Sequence, residues 1–337
     1  MTVHPGTATA APPTSSPGLA IEARDLVKTY GDVRALDGFG FAVEPGTVFG
    51  LLGPNGAGKS TTVKILTTLS FPTSGSATVA GHDVRREPDA VRRAIGVVTQ
   101  RNGTDPQATG RENLVLAARL HGLRGRAAKI RADDLLARFG LTEAAARVVR
   151  TYSGGMQRRL DVAMALVHRP EVLFLDEPTT GLDPEARATM WAEISRLAGD
   201  EGLTILLTTH YLEEADRLAD RLVIVDRGRL VAEGTPEQLK SELHGDAVVV
   251  ELATDADPEV ARKAVGRVAG AGEITIDGRS LRTRVDHGAT AVPAVLSALE
   301  AVGQPVAAIT VARPSLDDVY LRHTGRTFAA AEEGVTS

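Results

Sequence analysis

Residues 47–61 read TVFGLLGPNGAGKST, and few folds accommodate that string. An apolar run that ends in glycine marks a buried strand reaching a turn. The pattern G-x-x-x-x-G-K-[ST] follows at once, met by Gly53, Gly58, Lys59 and Ser60. A helix pattern then runs from Gly58 to about Leu69. Strand, glycine-rich turn and helix in that order form a cradle for phosphate oxygens. The loop Gly53, Pro54, Asn55, Gly56, Ala57 and Gly58 turns its backbone N–H groups inward, and the helix N-terminus adds about half a positive charge. Lys59 brings a full charge to the β- and γ-phosphates of a nucleotide, and Ser60 offers its hydroxyl to Mg²⁺. Thr61 closes the motif as a further nucleotide-binding candidate.

The rest of the chain suits a phosphate-binding α/β protein. Apolar runs at AIGVVTQ, EVLFLDEP, LTILLTTH and RLVIVDRG alternate with helical or loop stretches. That order predicts a mostly parallel sheet covered on both faces. Between Gln100 and Arg150 the strand signal stops and helical patterns take over, with Thr109 and Glu112 spaced as a capping box. Beyond residue 240 the order becomes strand, helix, strand, strand, helix, strand, as in ferredoxin-like domains. The expected organisation is a disordered leader over 1–18, a nucleotide-binding domain over 19–240 with a helical subdomain at about 101–165, a C-terminal accessory domain over 241–326, and a disordered tail over 327–337.

Composition narrows the chemistry. There is no cysteine, so disulfides, thiolate catalysis and Cys-based zinc sites are excluded. The net charge is −5 and aromatics are only 4%, so neither a basic field nor stacking platforms point to nucleic acid. No run of about 18 apolar residues is present, so no membrane span is expected.

The second half of the site is expected at strand ends, where open parallel sheets bind ligands. EVLFLDEP places Asp176 and Glu177 at the end of an apolar strand. Two carboxylates there need a cation or a proton to compensate them. Successive side chains point opposite ways, so Asp176 can hold Mg²⁺ while Glu177 polarises the attacking water. Gln100 and His210 each end a further predicted strand. The stretch TYSGGMQRRLDVAMAL supplies Ser153, Gly154 and Gly155 ahead of a helix whose apolar positions Met156, Leu160, Ala163, Met164 and Val167 face inward. Its N-terminus suits an anion.

Taken together, GPNGAGKST, Gln100, YSGGMQ, LFLDEP, TGLD and Thr209-His210 resemble the ordered motifs of the ATP-binding cassette ATPases. The fold this implies is a P-loop NTPase nucleotide-binding domain with a helical subdomain, plus a small C-terminal α+β domain of ferredoxin-like type. The resemblance covers about Leu19 to Leu239. It implies that Tyr30 stacks on adenine, that Gln100 serves both nucleotide and metal, and that Asp183 of TGLD and Gln157 of the signature join the nucleotide site. It further implies that Ser153, Gly154 and Gly155 reach the γ-phosphate held by a second subunit, so that two copies sandwich two ATP molecules head to tail. Glu177 and His210 are the catalytic pair, and ATP and Mg²⁺ the small-molecule requirements. Tyr152 stands where many members have leucine, a position expected to pack rather than touch phosphate.

The C-terminal PSLDDVYLRHTGR and the THYLEEAD stretch are similar to the daunorubicin/doxorubicin-resistance ATP-binding subunits and their exporter relatives. A chain of this type would power a separate membrane permease with about six spans from the cytoplasmic face of the cell membrane, exporting hydrophobic drugs, antibiotics or lipids. The helical insertion is where family members meet that partner. Cassette ATPases of translation or nucleic-acid maintenance are the alternative, but they usually carry two cassettes or a long coiled coil. This chain has one phosphate loop, and the span from Lys59 to Asp176 leaves no room for a long coil. A binding module without turnover would not need Glu177 and His210. A P-loop kinase or GTPase would not need SGGMQ, and no N-K-x-D motif is present.

Overall fold

The computed structural model describes residues 18–100, 103–243, 245–272 and 274–333. The expected leader, apart from Gly18, lies outside the described residues, as do residues 334–337 of the expected tail. The chain divides into two compact units. One takes in residues up to Leu51, Ala57–Thr209 and Arg227–Arg229; the other takes in Leu52–Gly56, His210–Asp226 and the chain from Leu230 onward.

The strands Val48–Leu52, Thr204–Thr209, Val172–Asp176 and Ile95–Val98, which lie in the first unit up to Leu51, are neighbours in that order. The last three pair in parallel, with Asp176 opposite Thr208 and Leu175 opposite Val98 and Leu207. Leu173, Phe174, Leu175, Ile205, Leu206 and Leu207 are fully buried. The apolar runs are continuous rather than alternating because both faces of these strands are covered. A second, antiparallel sheet orders Val33–Val43, Ile21–Tyr30, Ser74–Val79 and His82–Asp83.

The helical insertion contains Gly110–Leu120 and Gly125–Arg138, and Gly154–Ala165 follows it. Thr109 starts the first of these as its sequence spacing predicts. Its hydroxyl accepts from Glu112 N at 3.2 Å, and its own N–H donates to Glu112 Oε2 at 2.8 Å. The reciprocal pair satisfies two of the helix's orphan donors. Tyr152 is buried, and its hydroxyl donates to Ala144 O at 2.7 Å. It packs, as expected of a residue standing where leucine is common.

In the second unit, Asp246–Leu252, Ile274–Asp277, Ser280–Val285 and Val306–Ala312 form an antiparallel sheet. Their spatial order is second, third, first, fourth, the ferredoxin-like arrangement predicted from the element sequence. Helices Pro258–Val265 and Gly288–Ala301 contribute Ala261, Val265, Val295 and Leu299 to its core. The closing helix Leu316–Thr324 has a capping box between Ser315 and Asp318. Asp318 is 3% exposed and accepts from Arg282 Nη1 at 2.6 Å, with Arg284 Nη2 at 3.3 Å. Leu316, Val319 and Tyr320 join Ala215, Leu222, Ile224 and Leu239 in one cluster. The expected disordered tail needs correcting over Phe328–Glu333, which is a helix. Phe328 is buried there because its ring meets Tyr320 edge-on at 5.0 Å and its N–H donates to Asp317 Oδ1.

Candidate active site

Helix Lys59–Leu66 starts directly after Gly58, whose φ is 111°. A Cβ there would come within 2.8 Å of both Ala35 O and Leu36 Cδ2. Backbone angle and space together reserve the position for glycine. The preceding residue is fixed from the same side, since Gly228 N donates to Ala57 O at 2.8 Å. Lys59 is 4% exposed, whereas Ser60 is exposed and Thr61 half-buried. Gly53, Pro54, Asn55 and Gly56 follow the strand end at Leu52 and group with the second unit.

The carboxylates stand at the end of Val172–Asp176. Asp176 Oδ1 accepts from Thr208 Oγ1 at 2.6 Å, a partner set by the parallel register. Glu177 is 7% exposed and faces Lys59 Nζ at 3.4 Å. Its other oxygen, Oε2, accepts from Gln100 Nε2 at 2.9 Å and lies 3.4 Å from the donor Thr180 Oγ1. Two opposite charges buried side by side offset much of each other's desolvation, which neither could bear alone. Glu177 also has φ 49°, a left-handed backbone rare for a bulky residue. Its N–H is held by Thr208, at 3.0 Å to Oγ1 and 3.2 Å to the carbonyl. Such strain costs on the order of 1–3 kcal/mol and persists only where surrounding contacts over-determine it.

Lys59, Gln100 and Glu177 are thus brought together, with Asp176 adjacent in the chain. Tyr30 ends its strand 47% exposed, with Lys28 Nζ 4.7 Å from its ring centre and Ser70 Oγ 3.5 Å from its hydroxyl. One ring face is therefore shared with a cation. His210 follows strand Thr204–Thr209 directly, tilted against the Tyr211 ring at 4.1 Å, and groups with the second unit.

The signature residues gather at a second place. Ser153 N-caps its helix, its Oγ accepting from Met156 N at 3.3 Å. Asp183 caps helix Pro184–Gly199 by accepting from Ala186 N at 2.8 Å. A Cβ on Gly155 would lie 3.0 Å from Ala186 Cβ, so glycine lets the two helix starts approach. A cavity of about 230 Å³ opens between them, lined by Ser153, Gly155, Arg159, Asp183, Glu185 and Ala186 among others. Gly154 is exposed at the same helix start. Two helix N-termini border this space, with the Asp183 and Glu185 carboxylates and Arg159 beside them. Gln157 is turned to its own loop, with Nε2 3.3 Å from Tyr152 O and 3.5 Å from Val149 O.

The inward positions of this helix follow the sequence pattern only in part. Leu160, Ala163 and Val167 are buried, Met156 and Met164 half-buried, and Arg158 and Asp161 are buried as well. The helix is enclosed on more than its apolar stripe. Arg158, Asp161, Thr208 and Thr180 are contributors that sequence reasoning passes over. Only Thr208 had a readable signal, through its place one strand over from Asp176.

The donor set fits Mg²⁺ rather than a softer ion. Mg²⁺ takes oxygen ligands, usually one or two carboxylates completed by water and substrate phosphate. Ser60 and Asp176 offer hydroxyl and carboxylate oxygen. Gln100 gives its amide nitrogen to Glu177, which leaves its carbonyl oxygen turned away from that carboxylate. Among the described residues no cluster of three or more His, Cys, Asp or Glu suggests another metal.

Comparison with known proteins identifies the family. Residues 36–180 match the family described as ABC transporter, and residues 234–324 match the ATP-binding protein DrrA1-3-like C-terminal domain. The chain is 49% identical to daunorubicin resistance ATP-binding protein DrrA2 of Streptomyces coeruleorubidus, over 91% of this chain and 96% of that one. It is 45% identical to daunorubicin/doxorubicin resistance ATP-binding protein DrrA of Streptomyces peucetius, over 95% and 98%. A dimeric post-hydrolysis state of the ATP-binding cassette MJ0796, bound to ADP and Pi, superposes with a TM-score of 0.59 at 26% identity, covering 64% of this chain and 98% of that one.

Proposed function

The chain belongs to the ATP-binding cassette transporter ATPases of the daunorubicin/doxorubicin-resistance type, and from that premise we propose that it works as a head-to-tail homodimer driving export through a separate membrane permease. ATP hydrolysis is the family's reaction. The proposal concerns how this chain's residues perform it and what the energy drives.

Lys59 and the loop Gly53–Gly58 hold the β- and γ-phosphates, and Tyr30 offers a ring face to adenine. Glu177 is the general base. Its carboxylate accepts the proton of the water that attacks the γ-phosphorus, and Gln100 and Thr180 keep Oε2 aimed while this occurs. His210 orients the γ-phosphate oxygens from the end of its strand. Mg²⁺ held by Ser60, Asp176 and Gln100 would neutralise charge building on the β- and γ-oxygens. Ser153, Gly154, Gly155 and Asp183 serve the nucleotide of the other copy, with Gln157 bracing the signature loop. In this proposal 19–240 forms the nucleotide-binding domain and 241–326 the accessory domain.

The single observation carrying the catalytic reading is Glu177: buried, backbone-strained, and held between Lys59 and Gln100. A carboxylate kept at that cost at a phosphate loop is placed for chemistry rather than for packing. The export reading is supported by near full-length similarity to drug-resistance ATP-binding proteins. Among the described residues no helix is long and apolar enough to cross a membrane, and the proposal gives the transport path to a partner. A groove of about 460 Å³ suits that partner. It lies between the helical insertion and strand Ile95–Val98, mostly apolar, with Leu120, His121, Val98 and Met164 in its lining. Leu69 and Leu120 are 70% and 78% exposed at this site. The chain would then sit peripherally on the cytoplasmic face, and the cargo would be a hydrophobic drug, antibiotic or lipid.

Purification of the tagged chain from membranes tests the export reading. A hydrophobic subunit with about six spans should co-purify in stoichiometric amount. Recovery of ribosomes or nucleic acid in its place would overturn it.

A further inference from the structure

Arg158 is a buried guanidinium, 5% exposed, on a helix whose sequence, QRRLD, reads as a solvated face. It donates to three backbone carbonyls from three separate places. Nε reaches Pro178 O at 2.7 Å, Nη2 reaches Asp176 O at 3.3 Å, and Nη1 reaches Thr99 O at 2.7 Å. Two of these carbonyls flank Glu177 on either side, and the third belongs to the residue before Gln100, whose amide holds Glu177. One side chain therefore grips both walls of the pocket around the carboxylate. One turn further along, Asp161 Oδ1 accepts from Gly103 N at 3.0 Å, fixing the chain on the other side of Gln100 and placing a carboxyl near the guanidinium.

We infer that Arg158 is a positioning residue for catalysis: it holds Glu177 in its left-handed conformer and so ties the chain's own base to the signature helix. The strained φ of Glu177 requires contacts that over-determine it, and a planar fork with fixed donor directions supplies them better than a flexible ammonium. The same helix begins with Ser153, Gly154 and Gly155, which the proposed function assigns to the other copy's nucleotide. A shift of that helix on meeting a γ-phosphate moves Arg158, and with it the carbonyls around Glu177. Each site's signature contact is in this way wired to the opposite site's base. This rests on Glu177 as the base.

The test compares Arg158→Met and Arg158→Lys in the parent and in the Glu177→Gln background. Steady-state ATPase is measured alongside binding of a fluorescent ATP analogue. Arg158→Met should lower kcat by at least about tenfold with KM and analogue affinity within about threefold, and Arg158→Lys should recover part of the loss. In the Glu177→Gln background the same change should cost less than about twofold, because residues acting as a unit are not additive. Arg158→Lys carries the comparison alone where Arg158→Met does not fold. Parent kcat in both variants overturns the inference. So does an equal fold loss in both backgrounds, which is the mark of a merely structural arginine. If Glu177→Gln itself keeps the parent rate, the base assignment has failed instead. If Glu177→Gln is inactive while Arg158 variants run at full speed, only the positioning role has.

Discussion

Lys59 and Glu177 are 4% and 7% exposed and meet at 3.4 Å, whereas Ser153 and Gly154 lie open to solvent at a helix start. The first half of the site is made of full charges taken out of water. Each ion's desolvation costs several kcal/mol unless a partner offsets it, so this half is stable only because its charges are already matched. The second half uses partial charges, backbone N–H groups and a hydroxyl, which water satisfies at little cost. In the proposed function it is the half that waits in solvent for a partner's phosphate. The positive φ of Glu177 puts the backbone strain in the buried half.

Removing the charge on the buried side should break the comparison most. Glu177→Gln keeps the shape and the contact with Thr180 but removes the proposed base, so turnover should fall by about 10²–10⁴-fold. ATP affinity should hold or rise, because phosphate no longer competes with a carboxylate for Lys59. Phosphate release and calorimetry read the two quantities, and a trapped ATP-bound dimer on gel filtration is the expected companion. Turnover at the parent rate would place the base elsewhere.

A smaller loss is expected on the exposed side. Ser153→Ala removes the hydroxyl that caps the helix, worth about 1 kcal/mol of stability, and one donor from the phosphate site. Turnover should fall by about tenfold to a hundredfold. ATP binding to the isolated subunit should not change if, as proposed, the donor serves the other copy. An affinity loss as large as the rate loss would put the signature in the chain's own pocket and erase the distinction between the halves.

The two halves were unequally legible in the sequence. The phosphate loop could be read because its constraints are local: a glycine at φ 111°, a lysine after it, a strand before and a helix behind. The Thr109–Glu112 box and the ferredoxin-like strand order are local in the same sense. Even there, the reason Gly58 is glycine lies 22 and 23 residues away, at Leu36 and Ala35. Arg158 and Asp161 were hidden because helical periodicity assigns polar residues to solvent, while their partners at Thr99, Gly103, Asp176 and Pro178 are set by tertiary packing. The helix at Phe328–Glu333 was missed for a related reason. TFAAAEE has little pattern of its own, and one aromatic contact with Tyr320 decides it.

Asp161 lies where the two halves join, and its expected effect is the smallest on rate and the most informative on stability. Burial, ahead of the opposing pull of the Gly103 N–H and Arg158, raises its carboxyl from 3.8 to about 6. A carboxyl with a raised folded value binds its proton more tightly in the native than in the unfolded state. The contribution of Asp161 to native stability should therefore fall as pH rises from about 4 to about 6, and level off beyond. A shift of that size corresponds to about 3 kcal/mol. Asp161→Asn keeps an acceptor for Gly103 N–H and removes the ionisation. Relative to the parent, the variant should gain stability progressively across that window, be more stable above pH 7, and match it near pH 4. Urea unfolding at pH 4.5, 6 and 8 measures the difference. A variant less stable than the parent at pH 8 would mean that the ionised carboxylate is the counter-charge Arg158 needs, and that the rigid half of the site depends on a charge held by the helix of the other.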